Sequence, residues 1–476
     1  MTNDEATMVA PPTGGGERRS GGATKELIDE ARRFDLADLF FSTTDGRGII
    51  ASGNEVFCRV SGMTEEELIG KPHSIVRHPD TPRAVFRLLW NYLEDNRPVV
   101  AYVKNLASDG RYYWVLAAAF PVGEGYLSIR LKPTSPLATA VADIYREVRA
   151  FEVERERRGE RRSDVVSQSE RMLLSAIAGA GFATYEEFMR AALASEIRLR
   201  REAMQRAPTA PPDLDAHDPL FSLLEPARQL GVWLDGRFAG LDDLAEMDQQ
   251  LSSRSAYLLS LAEDIRVFAF NAVLAASQMN EDGEALTSVA SELQSRCSVV
   301  IDTIEKLADE IRSATTTINS LSFRTAMTAL QCEVFEFFCI ETMLGAGVGG
   351  GRVDTVLHDL SSLHAGMRRG LELLVERAQS HEQHLQDLRH SIYDLQSGLA
   401  SLSRLVLSGR IESARLRDGS SFVSLFNEVG DQIKAAKREV NLFRDVATSG
   451  HPIDGAEIDG ARSSLASIDE RLASVV

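Results

Sequence analysis

The stretch NEVFCRVSGMTEEELIGKPHSIVRHPDTPRAVFRLLW, Asn54 to Trp90, decides how the first part of this chain is read. After Gly62, Thr64 and Glu67 form a capping box that opens a short helix. GKPHSIVRHPD, Gly70 to Asp80, then puts two prolines, two histidines, an arginine and an aspartate into eleven positions. A loop so stiff and so polar either holds something or is a well-made turn. Asp80 is placed to cap the next helix through its first amides, and Pro82 suits a first helical turn. That helix, within AVFRLLWNYL, puts Val85, Leu88, Leu89 and Tyr92 on one side.

Strand patterns flank this stretch. DLFFSTTDGRGII reads as strand, Asp-Gly turn, strand. On the other side PVVAYVKNLA and RYYWVLAAAFPV are joined by Ser108-Asp109-Gly110, and GYLSIRLKP follows the Gly123–Gly125 turn. Two strands, several short helices and a three-strand meander resemble the order of a PAS domain. That likeness implies an α+β fold over residues 34–133, a five-stranded antiparallel sheet whose helices roof a small-molecule pocket. Residues 1–30, rich in Gly, Pro and charge, are expected to be disordered.

Composition narrows the function classes. The chain has 476 residues and a net charge of −18, which argues against nucleic-acid binding. No window approaches the roughly 18–20 apolar residues of a membrane span, and no secretory signal opens the chain. Four cysteines (Cys58, Cys297, Cys332, Cys339) without CxxC spacing fit a reduced, cytoplasmic protein. No nucleophile–base pair, metal-ligand spacing or P-loop stands out, so no enzyme activity is expected and no catalytic or metal-binding residue is assigned.

After Pro136 the pattern turns helical: a connector over 136–205, a linker over 206–218, a coiled-coil region over 219–450 and a tail over 451–476. Val353, Val356, Leu360, Leu363, Met367 and onward to Leu402 step by 3 and 4, with His381 at one seam position as a polar layer. Val300 to Cys339 steps the same way, which makes Cys332 and Cys339 small core residues. The glycine run Gly345–Arg352 separates the two. Phe268–Leu293 and Leu405–Val429 share one plan, helix, Gly- and Asp-containing turn, helix. Two helical hairpins with tips near Asn280–Gly283 and Asp418–Ser420 are expected to form one antiparallel four-helix coiled coil within the chain.

Two family resemblances follow from these residues. NEVF…SGMTEEELIGKPHSIVRHPDTPRAVFRLLW with VKNLASDGRYYWV resembles the PAS domain of bacterial aerotaxis receptors. The resemblance implies bound FAD and a redox or oxygen sensor, with Asn54, Arg77, His78 and Asp80 tied to the flavin. Asn105, mid-strand where Asn is disfavoured, either faces water at an edge or bonds a ring edge in the pocket. Trp90 and Trp114 are either core or stacking partners. Val99 follows Pro98 where the best-known flavin receptors carry Trp, so haem on His73 or His78, or a cofactor-free docking scaffold, are the alternatives. The C-terminal half resembles a degenerate signalling hairpin of methyl-accepting chemotaxis receptors. That implies protein signalling partners such as a chemotaxis kinase and coupling protein, and a dimer through PAS or helices. The charged tip residues that meet those partners are Ala275 and Gln278 here.

Overall fold

The computed structural model describes residues 26–206, 212–239, 241–277, 284–345, 353–415, 420–449 and 455–475. The expected tip residues Asn280–Gly283, Asp418 and Gly419, the substituted Gln278, and 346–352 lie outside them.

Six strands form one sheet: β1 Ile28–Ala31, β2 Phe40–Asp45, β3 Ile50–Gly53, β4 Val99–Leu106, β5 Arg111–Val122 and β6 Gly125–Leu131. β2 pairs antiparallel with β3 and β6, and β5 pairs antiparallel with β6 and β4. These are the five strands the alternation predicts. The sixth, β1, runs parallel to the start of β5 and begins inside the segment expected to be disordered. β6 meets β5 only from Leu116 onward, so the first backbone groups of β5 present an open edge. β1 fills it, with Ile28 N–H on Gly110 C=O at 2.9 Å and Arg32 N–H on Tyr112 C=O at 2.7 Å. Nothing in ELIDEARR has strand alternation; the vacant edge recruits it.

Between β3 and β4 come α1 Glu55–Ser61, α2 Glu65–Leu68, a short 3-10 helix His73–Val76 and α3 Arg83–Glu94. The Thr64–Glu67 capping box is present with both bonds. Gly62, in left-handed backbone at φ 66°, ends α1. These elements roof one face of the sheet, where Phe57 of α1 stacks against Phe40 of β2. The other face is covered by later helices. Tyr145 of α4 (Pro136–Arg157) donates to Tyr102 C=O at 3.0 Å. Tyr185 of α6 (Tyr185–Arg206) donates to Val100 C=O at 3.0 Å. α5 is Arg162–Gly179.

The helices that follow are α7 Phe221–Ala239, α8 Leu241–Ser277, α9 Glu284–Met343, α10 Val353–Arg415, α11 Ser420–Ser449 and α12 Gly455–Val475. Two compact units result. The first holds the described residues up to 235 with 325–371 and those from 459; the second holds 236–324 and 372–458. The expected single region 219–450 is therefore divided. A heptad stripe declares that a helix face is covered, but not by what. In the first unit Phe338 of α9 meets Phe41 of β2 edge-on at 4.9 Å. The expected tail is helix α12, whose Ala461, Leu465, Ile468 and Leu472 are buried at 4-3-4 spacing. In the second unit α8, α9, α10 and α11 share one core, including Ile265, Ala272, Leu293, Ile304, Leu388, Leu402, Phe426 and Val440. The four-helix bundle closes within one chain. Cys297, Cys332 and Cys339 are buried, and His381 is buried in the seam. No described helix is long and apolar enough to cross a membrane.

Candidate ligand site

The stiff loop fastens itself to β4. Arg77 forms an isolated bridge to Asn105, and Thr81 Oγ1 donates to Lys104 C=O at 2.7 Å. The Arg77 guanidinium lies 4.1 Å from the Phe86 ring centroid and donates to Thr81 C=O at 3.2 Å. Burial, with Arg83 nearby, pulls its pKa down to about 10. His78 Nδ1 accepts from Asp80 N–H at 3.1 Å, and its ring meets Tyr112 edge-on. Burial lowers its pKa, with Lys104 acting the same way. Asp80 pairs with Lys104 Nζ at 2.7 Å. Asp80 is not the cap of α3. Arg83 N–H and Ala84 N–H donate to the buried Glu152 carboxylate of α4 instead, at 3.0 and 3.1 Å. A glutamate from another helix outcompetes the local aspartate, which Lys104 holds elsewhere.

The sequence-predicted residues separate into several groups. Arg77, His78, Asp80 and Asn105 come together at β4. Asn105 is buried opposite Tyr113 of β5, so it shares the roofed face with Tyr113, whose ring lies 6.4 Å from Phe40. Trp114, next in the strand, packs on the other face against Tyr145 at 6.1 Å. Trp90 of α3 sits edge-on to Tyr126 at 5.4 Å and over Gly48, so it closes the β2–β3 turn. Asn54, buried ahead of α1, accepts from Phe41 N–H at 3.2 Å and donates to Leu39 C=O at 3.1 Å. Its amide also donates to Glu341 Oε2 of α9 at 3.1 Å.

A second cluster lies beneath the roof. Arg130 of β6 is 2% exposed. Its Nη2 donates to Ser42 Oγ at 2.8 Å and meets His73 Nε2 at 2.5 Å. Its guanidinium carbon lies 4.9 Å from the Phe57 ring centroid and 5.7 Å from that of Phe40. His73 stacks parallel on Phe57 at 6.0 Å. Burial and the neighbouring guanidinium push His73 down to about 3, so the imidazole is neutral and its Nε2 accepts from Arg130. Burial lowers Arg130 to about 10, still a cation at neutral pH. Arg130 Nη1 and Tyr113 Oη are buried with no hydrogen-bond partner among the described residues. Unspent buried donors are costly unless something accepts from them. With Asn105 on the same face, this cluster offers donors and flat aromatic surfaces to a planar ligand with acceptor groups along an edge. No group of three or more His, Cys, Asp or Glu among the described residues is placed to hold a metal ion.

Sequence reasoning missed Arg130 and Tyr113 as site residues and weighed His73 as an iron ligand or a hydrogen-bonding histidine without naming its partner. One signal was legible: in GYLSIRL, alternation puts Arg130 on the face opposite Leu127, Ile129 and Leu131, which are buried. What lies across from it is supplied by residues 57 positions away and more.

Residues 50–126 match the model of the PAS fold family. The chain is 41% identical over 122 residues to the aerotaxis receptor of Escherichia coli (strain K12), across 24% of each chain. It is 30% identical over 88 residues to the nitrogen fixation regulatory protein of Klebsiella pneumoniae, across 18% of each. A solved LOV protein of Rhodobacter sphaeroides aligns at 19% identity and a TM-score of 0.20, covering 31% of this chain and 88% of that one. The chain thus spans about a quarter or less of the length of the curated relatives it matches. Its sheet and roof are a PAS-fold domain similar to part of the aerotaxis receptor, followed by long helices.

Proposed function

We propose that this chain is a cytoplasmic signal-transduction protein, not an enzyme, whose PAS domain holds FAD and passes its redox state to the helices. The observation that carries the reading is Arg130, a buried cation with an unspent Nη1, near the stacked rings of Phe40 and Phe57, with the unspent Tyr113 hydroxyl on the same face. A flavin bound there supplies reversible electron transfer through its own ring. Arg130, Tyr113 and Asn105 would hold its polar edge, neutral His73 holds Arg130 in place, and Phe40 and Phe57 exclude water. The similarity to a receptor named for aerotaxis supports the same reading.

Haem is less well served. His73 Nε2 is turned to the Arg130 guanidinium, so an iron at that nitrogen would face a cation. His78 Nδ1 is taken by the Asp80 amide. The expected output is a protein partner. Because Ala275 and Gln278 stand where charged tip residues meet the chemotaxis kinase and coupling protein, stimulation of a standard chemotaxis kinase is expected to be weak.

Absorbance of the purified full chain tests the cofactor. Bands near about 370 and 450 nm are expected for a flavin. Arg130→Gln is expected to lose them while far-UV circular dichroism is unchanged, and Trp114→Phe is expected to keep them. A Soret band would establish haem instead, and a colourless protein would establish the cofactor-free scaffold.

A further inference from the structure

Asn54 stands at the N-cap of α1 but makes no capping bond with its side chain. Its amide is spent on β2 and on Glu341. The first turn of α1 is served from elsewhere: Val56 N–H donates to Glu341 Oε1 at 3.3 Å. A carboxylate from α9, nearly 300 residues along the chain, therefore caps a PAS helix. Helix N-termini favour such a negative group. Glu341 is buried, and three residues earlier Phe338 packs on Phe41. A second buried acid, Asp359 of α10, accepts from Ser52 Oγ of β3, which is itself bonded to Thr43 Oγ1 at 2.6 Å. Two acids from the helices thus dock on β2, β3 and α1.

The residue after Val56 is Phe57, which touches Arg130, His73 and Phe40 in the candidate ligand site. One turn of α1 therefore contacts the ligand site with one residue and α9 with its neighbour. A ligand that shifts α1 alters the distance from Val56 and Asn54 to Glu341 directly. Such a contact carries a state change only if it has two arrangements, docked and released.

We propose that Glu341, with Asp359, is a proton-dependent latch by which α9 and α10 grip the PAS domain, and that the latch reports the state of the ligand site. The second half rests on the reading given under Proposed function; the first half stands on the contacts and on the burial of the two acids. The groups facing Glu341 are Asn54, the Val56 amide, Glu55 and Arg59 of α1; those facing Asp359 are Ser52 and His358. Burial raises Glu341 to about 7 and Asp359 to about 6. The hydrogen bonds that Glu341 and Asp359 accept favour their charged forms, but burial outweighs them, so docking takes up protons and the grip weakens as pH rises through 6 to 7.

Amide hydrogen exchange on the full chain, with rates corrected for intrinsic pH dependence, reads the latch. Protection at Val56 and over residues 335–343 is expected to fall roughly tenfold between pH 5.5 and 8 in the oxidised protein. Glu341→Ala is expected to show low protection at both pH values. The double variant Glu341→Gln, Asp359→Asn is expected to remain protected and lose the pH dependence. Protection in Glu341→Ala equal to wild type, or a pH dependence that persists in the double variant, overturns the latch. In a chain that carries flavin, chemical reduction at fixed pH is expected to change protection at Val56 by a factor of about three or more; no change overturns the reporting role alone. A colourless chain that still shows the pH dependence overturns the flavin reading and leaves the latch standing.

Discussion

At the scale of single residues, the loop His73–Asp80 is a fastening, and its members do unequal work. Asp80 is largely exposed, with its side chain at 62%, so its pair with Lys104 is screened. Asp80→Ala is expected to cost less than about 1 kcal/mol. Arg77 holds Phe86 and Thr81 from a half-buried position, so Arg77→Ala is expected to cost about 1–2 kcal/mol. Urea denaturation that ranks Asp80→Ala as the worse variant contradicts this. Gly110 makes a sharper case. Its φ is +89°, and a Cβ there would lie 2.2 Å from Glu26 C=O. Gly110→Ala is expected to cost about 1–3 kcal/mol and to release β1. Limited proteolysis should then cut near Ile28–Ala31 while the rest of the sheet resists; an uncut variant refutes it. His73 adds an acid limit. Its folded pKa of about 3 lies below the ordinary 6.5, so its share of stability is present at neutral pH and is lost as pH falls from 6.5 toward 3.

Among the elements, one device recurs: a buried glutamate of one helix serves the N-terminus of another. Glu152 of α4 serves α3, Glu196 of α6 serves the entry to α4, and Glu341 of α9 serves α1. Glu196 accepts from Thr134 N–H at 2.6 Å, Ser135 Oγ at 2.6 Å and Tyr102 Oη at 2.9 Å. Removing it strands several buried donors, so Glu196→Ala is expected to cost about 2–4 kcal/mol. A midpoint within error of wild type would contradict that role. The three glutamates tie the sheet and its roof to later helices, so a change in the PAS domain has polar as well as apolar contacts through which to act. Glu341 and Asp359 tie stability to pH with the sign opposite to His73. Their folded pKa values lie above the ordinary ones, so their contribution is full at acid pH and is lost as pH rises toward 7.

For the molecule as a whole, the second unit is a bundle whose four helices come from one chain. Close approach depends on small residues. A Cβ on Gly409 would lie 2.4 Å from the buried Phe426 ring, and one on Gly398 would lie 2.8 Å from Val300. Gly409→Ala is therefore expected to destabilise the bundle by about 1–3 kcal/mol despite its better helix propensity. The core is lined by four helices of a single chain. Helix content by circular dichroism and the thermal midpoint are expected to be independent of dilution over a hundredfold range. A midpoint that falls on dilution would show that a second chain completes the core.

Local rules were enough for much of this protein. The two-residue alternation of β2 to β6, the Asp-Gly and Ser-Asp-Gly turns, the Thr64–Glu67 box and the heptad steps are short-range patterns, and each appears where it was read. For Asn105 the sequence left open an edge facing water and a pocket-facing position; the fold buries it. Long-range pairing was not legible, because nothing local announces a partner. β1 forms only because β5 outruns β6. Trp114 and Asn105 go to opposite faces, but which face carries the roof depends on helices far apart in the chain. Arg130 and His73 meet across 57 positions, and Asn54 meets Glu341 across 287. Periodicity showed that α9 and α10 have a buried stripe; tertiary packing decided that one part of each helix joins the PAS unit and the other the bundle. Apolar stripes are nonspecific about what they bury against, and buried charges find their partners only when the fold brings them together.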